Sequence, residues 1–302
     1  MTILKTTNLT KQYKETLACK DVNITIEKGD IFGLIGQNGA GKTTFMKMIT
    51  SLTHPTSGSI ELFGETDAGN VTQSRSRIGA MIESPALFSN MTAVQNLEYY
   101  RLQRGIPEKA RVQEVLQIVN LTDTGKKKFK DFSLGMKQRL ALAVSLLGHP
   151  DFLIFDEPTN GLDPTGIVEM RDLIHRLSKQ GITILISSHI LTELAQVANK
   201  YAIIHEGRLI KTLTTEALYD ECKTAVALRV DDAPKAAVAL EKIMGIKDYK
   251  QISDTEIRIY EFLDDPSEVN MVLAQEGIRV HGIQEVGDTL ENYYTNLIGG
   301  TK

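Results

Sequence analysis

The stretch "GLIGQNGAGKTTFMKMI", residues 33–49, constrains this chain most. It sets four glycines among nine residues and then turns into an apolar helical pattern. The run fits G-x-x-x-x-G-K-[ST], with Gly36, Gly41, Lys42 and Thr43 in the fixed places. "DIFGLI" before it reads as a buried strand, and "KTTFMKMIT" after it as a helix. A loop in that position can wrap a polyphosphate only if its backbone N–H groups reach the oxygens. Cβ atoms are then obstacles and glycines are favoured. The helix that starts there adds unpaired N–H groups and the positive end of its dipole. Lys42 supplies a point charge for the β- and γ-phosphates, and the Thr43 hydroxyl can ligate Mg²⁺. The candidate phosphate-binding residues are Gly36, Gln37, Asn38, Gly39, Ala40, Gly41, Lys42, Thr43 and Thr44. A glycine-rich turn without a ligand is the plainer alternative. It accounts for neither the lysine nor the threonine, so the run predicts a nucleoside triphosphate site.

A second signal is "FLIFDEP", residues 152–158. Four apolar residues bury a strand and carry Asp156 to its C-terminal tip, where ligands sit in open sheets. An acid there can hold Mg²⁺ through water. Glu157 follows and is free to orient and deprotonate an attacking water. Two solvated loop carboxylates would be the plain reading without the phosphate loop upstream.

Around these motifs the pattern divides the chain. Residues 1–35 alternate apolar and polar, with an E-K-G-D turn between the last two strands, and "GSIELFG" adds a strand bounded by glycines. From about 88 to 148 the reading turns helical. "TAVQNLEYYRLQRG", "PEKARVQEVLQIVNL", with its proline suited to a first turn, and "GMKQRLALAVSLLG" follow one another. "DFLIFDEP" and "ITILISSH" are buried strands separated by the amphipathic "TGIVEMRDLIHRLSKQG". Strands alternating with long helices predict an α/β fold with a parallel sheet covered on both faces. "YAIIHEGRLI" reads as a hairpin turning at Glu206-Gly207.

Near residue 213 the character changes. "AVALRV", "EIRIYEF" and "GIRVHGI" are short alternating strands, and "APKAAVALEKIMG" and "PSEVNMVLAQEG" are helical. The β-α-β-β-α-β order points to a small ferredoxin-like α+β unit. "DTLENYYTNLIGG" ends the chain as a helix with Asp288 and Glu291 placed as a capping box. Leu290, Tyr293, Tyr294 and Leu297 share one of its faces, which reads as a packing surface. The expected division is therefore 1–212, with a helical part at about 88–148, and 213–302.

Composition limits the setting. A formal net charge of −4 over 302 residues gives no nucleic-acid or anionic-membrane footprint. Cys19 and Cys222 have no metal-like spacing and read as inert packing residues of a reducing compartment. No signal-peptide layout opens the chain, and no apolar run approaches bilayer length. The expectation is a soluble cytoplasmic protein that reaches a membrane only through a partner.

Residues 1 to about 212 resemble an ATP-binding subunit of an ABC transporter, the P-loop NTPase fold of ABC type. "GQNGAGKT" is similar to that family's Walker A, and "FLIFDEP" to its Walker B with the adjacent glutamate, Glu157. "NGLDP", with Asp163, resembles the D-loop, and "SSHILTEL" supplies the switch histidine, His189. "FSLGMKQRLALA" sits where the signature opens a helix, with Ser133 and Gly135 retained and Phe132, Leu134 and Met136 in place of the usual Leu, Gly and Gln. "RIGAMIESPALFSNMT" resembles the Q-loop region, with Glu83 where glutamine is usual. Tyr13 falls where an aromatic ring stacks on adenine.

The resemblance implies an ATPase using ATP and Mg²⁺. Lys42, Glu157 and His189 would be catalytic, and Thr43, Asp156 and Glu83 would stand around the metal. Tyr13, Ser133, Gly135 and Asp163 would complete the nucleotide contacts. It implies a head-to-tail homodimer of ATPase subunits with ATP between them. Separate transmembrane permease subunits would hold that dimer at the inner face of the cell membrane. The signature, "MIESPALF" and the tail look most like bacterial exporters of the bacitracin and lantibiotic self-protection type, and the compact cassette also suits drug or lipid export. A soluble ABC-type ATPase of translation or DNA repair is the alternative. Such proteins usually carry two cassettes or a coiled-coil insertion, together with basic patches. A metabolic kinase would give no reason for the signature.

Overall fold

The computed structural model describes residues 1–83, 87–223, 225–261, 266–287 and 289–299. The chain forms two compact units, Met1–Thr215 and Glu216–Lys302.

In the first unit the N-terminal alternation builds β1 (Thr2–Tyr13), with Ile3, Leu4 and Leu9 buried. Antiparallel to it run β2 (Thr16–Val22) and β3 (Thr25–Glu27). After the turn comes β4 (Ile31–Ile35), buried at all five positions, which runs through the glycine-rich loop into α1 (Lys42–Ile49). β5 (Ser57–Leu62) returns to β1. α2 (Ala68–Ser74) and the four-residue β6 (Ile78–Met81) follow. The helical part holds α3 (Ala93–Gln103), α4 (Ala110–Ile118) and α5 (Leu134–Leu146). At the start of α3 the Thr92 hydroxyl accepts from the Gln95 N–H at 3.2 Å, while the Gln95 side chain accepts from the Thr92 N–H at 2.9 Å. This reciprocal cap fixes the helix start. Pro107 does not open α4. The helix begins three residues later, behind a turn in which the Arg111 N–H donates to the Glu108 carbonyl at 3.2 Å, so the proline lies in the connection.

β7 (Phe152–Phe155), α6 (Pro164–Lys179), β8 (Thr183–Ser188), α7 (Leu191–Ala195), β9 (Lys200–His205) and β10 (Arg208–Thr214) complete the unit. The β9–β10 turn has positive φ at both Glu206 (46°) and Gly207 (75°), the geometry a tight two-residue hairpin needs. The sheet order is β3-β1-β2-β10-β9-β4-β8-β7-β6, with β5 on β1. The predicted parallel arrangement holds from β9 to β6. The N-terminal strands add an antiparallel arm, so the sheet is mixed. Register places the site: Ile35 on β4 pairs with Ser188 on β8, and Phe155 on β7 with Ile186. The chain leaves three neighbouring strand ends as the glycine loop, as Asp156-Glu157 and as His189.

In the second unit α8 (Thr215–Cys222) leads into β11 (Ala225–Val230), α9 (Ala233–Ala239), β12 (Tyr249–Ser253), β13 (Glu256–Ile259), α10 (Pro266–Gln275), β14 (Val280–Val286) and α11 (Leu290–Gly299). The sheet order β12-β13-β11-β14, with the β-α-β-β-α-β sequence, is ferredoxin-like. Val226, Leu228, Ile257, Ile259 and Leu273 pack one face of it. The sequence pattern does not mark β12 as a strand. Four of its five side chains are exposed, so it carries no alternation to read. On α11, Tyr293 and Tyr294 are buried as expected of a packing face. Asp288, the anticipated cap, lies outside the described residues, and the Thr289 hydroxyl accepts from the Asn292 N–H at 3.2 Å.

Candidate functional site

The glycine loop encloses a cavity of about 180 Å³ lined by Ala18, Gln37, Asn38, Gly39, Ala40, Gly41, Lys42, Thr43, Thr44 and Glu157. Two glycines are dictated by space. A Cβ on Gly36 would lie 2.5 Å from the Ile204 carbonyl oxygen. One on Gly41, at φ +106°, would lie 2.4 Å from that of Ala18. The Cys19 thiol packs behind the loop and donates to the Gly41 carbonyl at 3.4 Å. Burial pushes it up to about 12, so it stays protonated and inert at neutral pH.

Lys42 is 5% exposed. Its Nζ donates to the Gly36 carbonyl at 2.6 Å and the Gln37 carbonyl at 3.2 Å, and lies 3.0 Å from Glu157 Oε1. The last contact is an ion pair without hydrogen-bond geometry, because Oε1 is buried with no hydrogen-bond partner among the described residues. The other carboxylate oxygen, Oε2, stands 2.8 Å from His189 Nδ1. Lysine, glutamate and histidine thus form one contiguous chain from the loop to the end of β8. A buried ammonium resting on its own loop's carbonyls, beside an under-satisfied carboxylate, is a site prepared to exchange those contacts for a polyanion and a water.

Asp156 is held from two sides. Thr43 Oγ1 donates to its Oδ2 at 2.7 Å, and Ser187 Oγ donates to its Oδ1 at 2.7 Å. Ser187 Oγ also accepts the Glu157 N–H at 2.9 Å. Glu157 itself has φ +50°, a left-handed conformation that costs a non-glycine residue about 1 kcal/mol and persists where surrounding contacts impose it. Ser187 is the residue that the sequence reading missed. Its only signal was the serine pair ahead of His189.

Magnesium fits Thr43 and Asp156, whose oxygens already converge beside the loop. No cluster of three or more acidic, histidine or cysteine side chains suited to a metal occurs among the described residues. Glu83 does not join that pair. Its Oε1 lies 2.6 Å from Lys47 Nζ on α1, which offsets the charge that replaces the usual neutral side chain. It still lines, with Asp156, Glu157 and Gln138, a neighbouring cavity of about 520 Å³. Residues 84–86 of the same segment lie outside the described residues.

The other anticipated contacts are elsewhere in the unit. Tyr13 is exposed at the end of β1, its hydroxyl donating to Thr53 Oγ1 at 3.3 Å. Ser133 caps α5, its hydroxyl accepting from the Met136 N–H at 3.3 Å. Asp163 caps α6, its Oδ1 accepting from the Gly166 N–H at 2.9 Å. Ser133, Gly135 and Asp163 line a separate cavity of about 430 Å³ and do not meet the glycine loop's cavity.

The family profile described as ABC transporter matches residues 19–160. The bacitracin transport ATP-binding protein BcrA of Bacillus licheniformis is 45% identical over 300 residues, 99% of this chain and 98% of that protein. The lantibiotic transport ATP-binding protein SrtF of Streptococcus pyogenes is 43% identical over 208 residues, 69% of this chain and 89% of that protein. Among solved structures, cbiO1 from Clostridium perfringens, part of the ABC transporter complex cbiONQ, superposes with a TM-score of 0.66 at 27% identity. That match covers 81% of this chain and 97% of the other.

Proposed function

The chain belongs to the ABC transporter family as an ATP-binding, ATP-hydrolysing subunit, and on that premise we propose that it powers an exporter of antimicrobial peptides of the bacitracin or lantibiotic kind. Similarity over 98% of the length of BcrA supports that substrate class. Drug or lipid export is the broader form of the same reading. Such subunits dimerise and work with separate membrane components. Among the described residues no helix is long and apolar enough to cross a membrane. In this reading the subunit reaches the inner face of the cell membrane through its permease. Neither the site nor the relatives named above support a role in translation or DNA repair.

The observation that carries the mechanism is the linked set Lys42, Glu157 and His189 at the mouth of the loop. The amides from Gln37 to Thr44 take the triphosphate. Lys42 leaves the Gly36 and Gln37 carbonyls for the β- and γ-phosphate oxygens. Thr43 and Asp156 would hold Mg²⁺, which when bound would supply positive charge to offset that developing on the transferred phosphoryl group. Glu157, released from Lys42, takes the proton of the attacking water, and His189 fixes the carboxylate's orientation. Ser133, Gly135 and Asp163 lie in their own cavity, which supports a head-to-tail dimer in which they meet the γ-phosphate on a second copy. Tyr13, exposed at the end of β1, is the adenine platform in this reading.

Purification of the tagged chain from membranes tests the assignment: a polytopic membrane protein is expected to accompany it, and recovery with ribosomes or DNA instead would contradict the transport reading. Glu83→Gln is expected to hold ATP affinity within about fivefold, because a part-exposed ion pair contributes about 1 kcal/mol or less, and to alter hydrolysis in the assembled complex. Unchanged turnover there would remove Glu83 from the site.

A further inference from the structure

We propose that Gln138 is a positioning residue that ties the start of α5 to the catalytic glutamate of the same chain. The inference rests on the reading of Glu157 as the hydrolytic base. Gln138 lies one turn into α5, behind Ser133 and Gly135. Its Nε2 donates to the Asn160 carbonyl at 3.0 Å. A carbonyl only accepts, so this contact fixes which amide atom faces it. The Asn160 N–H in turn donates to the Glu157 carbonyl at 3.1 Å, closing the turn that leaves Glu157 in its left-handed conformation.

That turn is held from other directions as well. Ser187 Oγ accepts the Glu157 N–H, and Thr159 Oγ1 donates to Glu193 Oε2 at 2.8 Å. Both of those clamps come from β8 and α7, beside the switch histidine. Gln138 brings in the helix that opens on the signature-like segment. The two pieces are also in van der Waals contact. A Cβ on Gly161 would lie 3.0 Å from Leu134 Cδ2, and one on Gly135 would lie 3.6 Å from Leu162 Cδ2. The first turn of α5 and the segment after Asn160 therefore lie side by side.

The second amide atom points to a function beyond packing. Gln138 Oε1 is buried without a hydrogen-bond partner among the described residues, and Gln138 is among the residues that line the cavity shared with Asp156 and Glu157. A buried acceptor of this kind is uncommon in folded proteins and concentrates where function constrains the side chain. Engagement of Ser133 and Gly135 by the phosphate held on a second copy shifts the start of α5. Gln138 passes that shift to Asn160, and so to the carboxylate that must align with water.

The test compares the full-length chain with Gln138→Met, which keeps size and removes the donor, and Gln138→Glu, which keeps polarity and removes the donor. Turnover of magnesium-ATP, its KM, ATP affinity and thermal midpoint are measured for each. Both variants are expected to lose about ten- to a hundredfold in kcat, the effect of a small misplacement of a catalytic group, with KM, affinity and midpoint unchanged. Wild-type turnover in either variant, or a loss that ATP affinity or the midpoint tracks, overturns the proposal. Glu157→Gln is run alongside. If it still hydrolyses ATP, the base assignment and this inference fall together. An inactive Glu157→Gln beside a fully active Gln138→Met overturns this inference alone.

Discussion

Glu157→Gln is expected to lower ATP turnover by about 10²- to 10⁴-fold while leaving ATP binding at least as tight as in the wild type. The amide is isosteric and can keep the contact with His189 Nδ1, so the turn is not disturbed. It cannot take a proton from water. It also carries no charge to hold Lys42 at 3.0 Å, so the lysine is freed for the phosphates without first giving up an ion pair. If ATP bridges two copies and hydrolysis removes that bridge, the variant accumulates as a dimer in magnesium-ATP. Phosphate release and size-exclusion chromatography with and without nucleotide measure the two effects. Wild-type phosphate release would place the base elsewhere in the site.

Lys42→Ala is expected to weaken ATP binding by about thirtyfold or more. Truncating one partner of a buried charge contact costs about 2–5 kcal/mol, and each 1.4 kcal/mol is tenfold in affinity. Here the loss has two sources. The triphosphate loses its cation, and Glu157, in contact with Lys42 and His189, is left with the histidine alone. Its carboxylate then stands near the incoming phosphates without the ammonium that offset it. Titration with a fluorescent ATP analogue reads the effect, and an unchanged Kd would show that Lys42 does not touch the nucleotide.

The glycine loop and the Asp156–Glu157 strand end were legible because each compresses its chemistry into consecutive residues. A strand end or helix start fixes the geometry once the fold class is known. Ser187 and Lys47 were not legible. Each acts through a neighbour distant in sequence, Ser187 on Asp156 and Lys47 on Glu83, and only strand register and helix placement bring those pairs together. The resemblance makes Asp163 and Ser133 nucleotide contacts. The folded chain shows a second, local use for each as a helix cap, and the Ser133 hydroxyl, which only accepts in its cap, keeps its O–H to donate to a phosphate. In the second unit the sheet order followed from the order of elements. β12 lacked the alternation that marks a half-buried strand, because its side chains face solvent at most positions. Pro107 shows the limit of a local rule: a favourable first-turn residue does not start a helix when the chain still has to turn before it.

The account stands on the loop from Gly36 to Thr44 gripping a triphosphate, and calorimetric titration of magnesium-ATP into the purified full-length chain tests that most directly. Saturable binding at one nucleotide per chain, abolished or weakened at least about thirtyfold by Lys42→Ala, is the predicted result. No measurable affinity of the wild-type chain for adenine nucleotides would contradict it.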